Sequence, residues 1–167
     1  MSLSQRLITD IESENENTRK LLGVVPQPKL DWKPHERSMT LGQLAGHIAE
    51  MPTWLGAMLE DELDFAAMAG SYKPFVPRTR EELLSTFESN SRSVRPALNG
   101  KDDAFMRGTW TMRKGKEVLM QAPRADVIRQ TMLHHLAHHR GQLTVYLRLL
   151  DVPVPGTYGP TADFPNF

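Results

Sequence analysis

Residues 131–143 read TMLHHLAHHRGQL and carry four of the chain's six histidines, at positions 134, 135, 138 and 139. Neutral imidazole is the commonest metal ligand among side chains. Two imidazoles four residues apart on a helix have Cβ atoms about 5–6 Å apart. Their ring nitrogens can then converge on one ion at about 2.0–2.1 Å. The chain has no cysteine, which removes disulfides and thiolate ligands, so nitrogen and oxygen must hold any metal here.

The four histidines are not equivalent. Drawn as one continuous helix, residues 124–150 place Ile128, Met132, Leu143, Tyr146 and Leu150 on a single apolar stripe. His135 and His139 fall within that stripe, whereas His134 and His138 fall on a flank with Val127 and Val145. An unpaired polar group in such a stripe costs about 1–3 kcal/mol, and one shared ion would satisfy both rings. His135 and His139 are therefore the expected ligand pair, and His134 and His138 read as flank residues. Two histidines rarely complete a site, and His35 and His47 are the candidates for the third ligand. His47 lies on the edge of another helix's stripe with Met51, Trp54 and Met58, while His35 sits beside Pro34 among charged residues. Glu50, one turn after His47, reads as a fourth ligand, as an acceptor for a ligating ring or as a solvent-facing charge. Gln142 and Tyr146 point towards the stripe after His139. They are candidates for a substrate-binding wall or for orienting a ligand; a Gln bonded to the neighbouring helix and a core Tyr is the alternative. Arg140, on the other flank, reads as an ion-pair partner.

The elements that must position these residues are helical. The first helix spans about residues 4–22, with Leu7, Ile11, Leu21 and Leu22 inward. A proline-bearing connector, VVPQPKLDWKPHERS, leads to a second helix from Thr40, where Thr40 and Gln43 have capping-box spacing. Its stripe is Leu41, Leu44, Ile48, Leu55 and Leu59, and Pro52 predicts a kink near Met51. Residues 60–77 read as a loop. Thr79 and Glu82 form a second capping-box pattern, opening a helix with Leu83, Phe87, Ser91, Val94 and Leu98 inward. Around Lys114-Gly115 the sequence suits a short hairpin or an irregular crossover. The last helix covers residues 124–150, and the Pro- and Gly-rich tail is irregular. The expected fold is an all-α four-helix bundle with long connections, forming one domain over residues 1–167.

Composition narrows the function classes. Twenty basic and twenty acidic residues cancel, leaving no electrostatic footprint for nucleic acid or an anionic membrane. The first twenty residues are too polar for a signal peptide, and no apolar run approaches a membrane span, so a cytoplasmic protein is expected. There is no HExxH, GxSxG or Walker pattern.

Three segments, LDWKPHERSMTLGQLAGHIAEMP, HHLAHHRGQLTVYLRLL and VPVPGTYGPTAD, together resemble the DinB-like (DinB/YfiT) superfamily of bacterial proteins. The most specific part is H-x-x-x-H-R-G-Q-L followed by P-x-x-Y-G-P, after a histidine in the second helix. The resemblance implies a four-helix bundle with one divalent metal, most often nickel or zinc, on three histidines. Carried over position by position, these are His47, His135 and His139. Characterised members include bacillithiol transferases and mycothiol-dependent maleylpyruvate isomerase, which use the ion to activate a low-molecular-weight thiol; others are described as metal-dependent hydrolases. The expected function is a metal-dependent transferase acting on a small thiol and an electrophilic partner. A hydrolase using metal-bound hydroxide and a non-catalytic metal or small-ligand binding bundle are the alternatives. The resemblance also implies a homodimer, and it suggests that Tyr158 in the tail folds over the pocket mouth.

Overall fold

The computed structural model describes residues 1–68 and 70–166. Helix α1 spans Leu3–Gly23 and α2 spans Leu41–Glu50. Each opens on a complete capping box, Ser2 with Gln5 and Thr40 with Gln43, and a cap of this kind stabilises a helix end by about 0.5–2 kcal/mol. The kink expected at Pro52 is a 3₁₀ turn, Met51–Trp54, that hands α2 over to α3, Leu55–Leu59. Proline supplies no N–H and fixes its own φ, so the tighter turn forms where the α-helical bond is missing.

The segment expected to be a loop contains two short elements, strand β1 (Glu62–Asp64) and helix α4 (Phe65–Met68). Then follow α5 (Arg80–Arg92), α6 (Val94–Leu98) and α7 (Asp103–Arg107). The Thr79 capping box is only half formed. Its hydroxyl accepts from the Glu82 N–H, but the Glu82 carboxylate turns to the N–H of Arg78. The third stripe is interrupted at Ser93, three residues before Pro96, yet Leu83, Phe87, Val94 and Leu98 are all fully buried.

The hairpin alternative holds at Lys114-Gly115. Strands β2 (Thr109–Lys114) and β3 (Glu117–Pro123) pair antiparallel, and Gly115 takes the positive φ the turn requires. Strand β1 adds in parallel to β2, giving a three-stranded sheet beside the helices. Periodicity did not announce β1, because three residues are too few to show alternation. Its place depends on distant partners: Arg113 binds Glu62, and the Gly115 N–H donates to Asp64 at 3.0 Å.

The last helical rod runs α8 (Arg124–Arg129), a π-helical turn (Gln130–His135) and α9 (Leu136–Leu149). A uniform helix puts Val127 and Val145 on one flank, but Val127 is 1% exposed and Val145 57%. The π turn accounts for the difference. It accommodates an additional residue, which rotates everything downstream by about 100° relative to an unbroken α-helix.

Two apolar clusters fill the interior. One gathers Leu21, Leu44, Ile48, Phe87, Leu136 and Leu143; the other gathers Ile11, Leu55, Val94, Trp110, Ile128 and Met132. Along α2–α3 the first cluster gives way to the second between Met51 and Leu55, and along the last rod the second gives way to the first between Met132 and Leu136. His135 stands at the second of these crossings, and His47 lies one turn before the first. Among the described residues no helix is long and apolar enough to cross a membrane.

Candidate metal centre

Helix α2 carries His47 near its C-terminal end, the π turn ends on His135, and the first turn of α9 carries His139. The three rings meet. His139 Nε2 lies 2.7 Å from His135 Nε2 and 3.1 Å from His47 Nε2. One ring nitrogen from each residue lies within 4.8 Å of the other two, the single such grouping among the described residues. The His47 and His139 rings stand nearly perpendicular, at 88°. Trp54 packs against this group, its ring centroid 5.1 Å from His47 and 5.8 Å from His135.

The far side of the His139 ring fixes which of its nitrogens is free. The Gln142 side-chain oxygen lies 2.8 Å from His139 Nδ1. A carbonyl only accepts, so His139 carries its proton on Nδ1 and presents a lone pair at Nε2. His47 turns Nδ1 towards the Glu50 carboxylate at 3.5 Å. The His139 lone pair thus faces His47 Nε2 across 3.1 Å and His135 Nε2 across 2.7 Å. Ligands at about 2.0–2.1 Å in a tetrahedral array stand about 3.3 Å apart. The donor set therefore fits a divalent cation, and a carbonyl or carboxylate behind each of two ligating rings is the usual supporting arrangement.

Burial favours the neutral rings that ligation needs. It pushes His139 down to about 4, against the opposing pull of the Gln142 hydrogen bond, and the neighbouring His47, His135 and His138 push the same way. His135 is lowered too, first by burial and then by His47 and His138.

The other residues singled out from sequence are placed as follows. His134 and His138 are exposed and outside the nitrogen cluster. His35 is exposed in the connector, its Nδ1 accepting from the Arg37 N–H at 3.1 Å. Glu50 is buried rather than solvent-facing, and lies behind His47 rather than among the three Nε2 atoms. Gln142 is at the cluster through His139. Tyr146 is half-buried, packs edge-on to Trp32 and donates to the Met39 carbonyl at 3.1 Å. Arg140 is an ion-pair partner, but a buried one, held to Glu14.

Tyr158 does not fold over the histidines. Its hydroxyl meets Glu14 and Arg140 at α1, and it lines two surface clefts, of about 390 and 510 Å³, in which none of the three clustered histidines takes part. The hydroxyl accepts from the buried Arg140 and donates to the Glu14 carboxylate. Sequence reasoning missed Tyr72, whose hydroxyl donates to Glu50. No periodicity marks it, since it lies in an irregular stretch.

A sequence profile of the DinB family matches residues 1–166. Among curated proteins, the uncharacterized protein YrdA of Bacillus subtilis (strain 168) is 27% identical over 157 residues, covering 91% of this chain and 86% of that protein. Among solved structures, the DinB-like protein YjoA of Bacillus subtilis superposes with a TM-score of 0.70 at 16% identity, covering 91% of this chain and 97% of that one. A DinB-like protein from Bacillus cereus ATCC 10987 gives 0.69 at 23% identity, covering 91% and 95%. At such identities the structural likeness establishes the fold, a helical bundle with a small sheet. The profile match over nearly the whole length establishes more: the chain belongs to the DinB family.

Proposed function

We propose that the protein holds one divalent metal ion, nickel or zinc, on His47, His135 and His139, and acts as a transferase joining a low-molecular-weight thiol to an electrophilic small molecule. The observation that carries the metal reading is the convergence of three Nε2 atoms, that of His139 with its lone pair fixed from behind by Gln142. Such an ion acts as a Lewis acid and lowers the pKa of a thiol or water that reaches it. Imidazole ligands bring no negative charge to the ion, which leaves such a site attractive to an anionic sulfur. Trp54 packs against one side of the cluster, while the partial exposure of His47 and His135 leaves an approach. Gln142, exposed at the rim, and Tyr146, two turns beyond His139, form the proposed wall for the small-molecule substrate. The reading includes a homodimer and a cytoplasmic location, where thiols are kept reduced.

The test is a panel of bacillithiol, mycothiol, coenzyme A, glutathione and cysteine against alkylating and epoxide electrophiles, with metal-loaded protein. The proposal expects thiol-dependent turnover that a chelator abolishes while far-ultraviolet circular dichroism stays unchanged, since two apolar clusters hold the fold without the ion. Turnover of ester or amide substrates without any thiol would favour the hydrolase. No turnover, with helix signal lost on chelation and regained with metal, would mark the ion as structural.

A further inference from the structure

Glu50 is 7% exposed, and a carboxylate that far from water needs donors to remain there. Its Oε2 accepts the Phe75 N–H at 3.0 Å, and its Oε1 accepts the Tyr72 hydroxyl and faces His47 Nδ1 at 3.5 Å. Both hydrogen-bond donors come from the irregular stretch of residues 72–77, which crosses α2 one residue before His47. The close crossing depends on Gly46. A methyl group there would collide with the Phe75 carbonyl oxygen and reach Pro77 Cδ at 3.0 Å. The Tyr72 hydroxyl is a persistent donor: burial, then its bond to Glu50, pushes it up to about 12.

We propose that Glu50 is a positioning residue for His47, fixed by Tyr72 and the Phe75 N–H so that it holds the His47 Nδ1–H and leaves Nε2 free for the metal. This rests on the reading of the three histidines as a metal centre. It makes residues 72–77 part of that centre, although none of them reaches the ion. Oε1 is shared, so a strap that loosens at Tyr72 leaves Glu50 less well aimed and His47 freer to turn.

The experiment measures zinc affinity by competition with a chromogenic chelator, together with the visible spectrum of the cobalt(II)-loaded protein, for wild type, Glu50→Gln, Tyr72→Phe and both combined. Circular dichroism of each metal-free variant confirms the fold. Glu50→Gln should weaken zinc binding about 10- to 100-fold and alter the cobalt bands. Tyr72→Phe should weaken it by a smaller factor and add nothing when Glu50 is already Gln. In a His47→Ala background neither change should cost further affinity. Wild-type affinity and an unaltered cobalt spectrum in both folded single variants would overturn the proposal, and so would equal losses with and without His47. If Glu50→Gln does not fold, Tyr72→Phe decides alone, because its ring is half exposed: unchanged affinity refutes, reduced affinity supports. Wild-type protein that binds no zinc or cobalt at all would overturn the metal centre itself, a failure distinct from that of Glu50.

Discussion

Gln142 holds the Nδ1–H of His139 at 2.8 Å, one turn further along α9. The spacing of three residues sets this geometry, since i and i+3 side chains share a helix face. It leaves Nε2 as the one nitrogen of His139 with a free lone pair, and that nitrogen lies between those of His47 and His135.

The Gln142 contact predicts a loss of metal affinity without a loss of fold. Gln142→Leu should weaken zinc binding about 10- to 100-fold, and Gln142→Glu, which still accepts from Nδ1–H, should retain most of it. Chelator competition measures both. Equal affinity in Gln142→Leu and wild type would restrict this side chain to the substrate wall.

Arg140 predicts the reverse, a loss of stability that spares the metal. Its guanidinium is 3% exposed and donates to the Glu14 carbonyl at 2.9 Å, to the Glu14 carboxylate and to Tyr158. Breaking a buried pair by removing one partner costs about 3–5 kcal/mol, the range expected for Arg140→Leu in urea unfolding. Metal content of the folded variant should be unchanged, because Arg140 faces α1 and not the histidines. A loss below about 1 kcal/mol, the size of a surface ion pair, would contradict this.

Tyr72 predicts an alkaline transition. Its folded value, about 12, lies above the ordinary 10.0 of an unfolded tyrosine. The folded state therefore keeps a proton that the unfolded chain gives up. The stabilisation is fully present below pH 10 and is lost as pH rises through 12. Phenolate absorbance should show a late-titrating tyrosine that Tyr72→Phe removes. Titration of all three tyrosines together near pH 10 would contradict the bond between Tyr72 and Glu50.

What was legible in the sequence follows from the range of each interaction. The stripes of α1 and α2, the Pro52 kink and the His135 and His139 pairing are written in local periodicity, and the structure has them. The opposite fates of Val127 and Val145 were not legible, because a π turn changes the phase without changing the residue pattern. Strand β1 and the seat of Tyr158 depend on partners far along the chain, Arg113 and Glu14. The third ligand is intermediate. His47 and His35 both remained open from the residues alone; the family resemblance selected His47, and the meeting of α2 with α9 brings its Nε2 to His139.

The central claim is that three particular histidines of six hold one ion, and elemental analysis of metal-reconstituted variants tests it most directly. Wild type, His134→Ala and His138→Ala should each carry one zinc or nickel per chain after exhaustive dialysis. His47→Ala, His135→Ala and His139→Ala should each carry close to none while keeping wild-type helix content. Similar metal content in all six proteins, or equal losses from the exposed and the clustered histidines, would contradict the account.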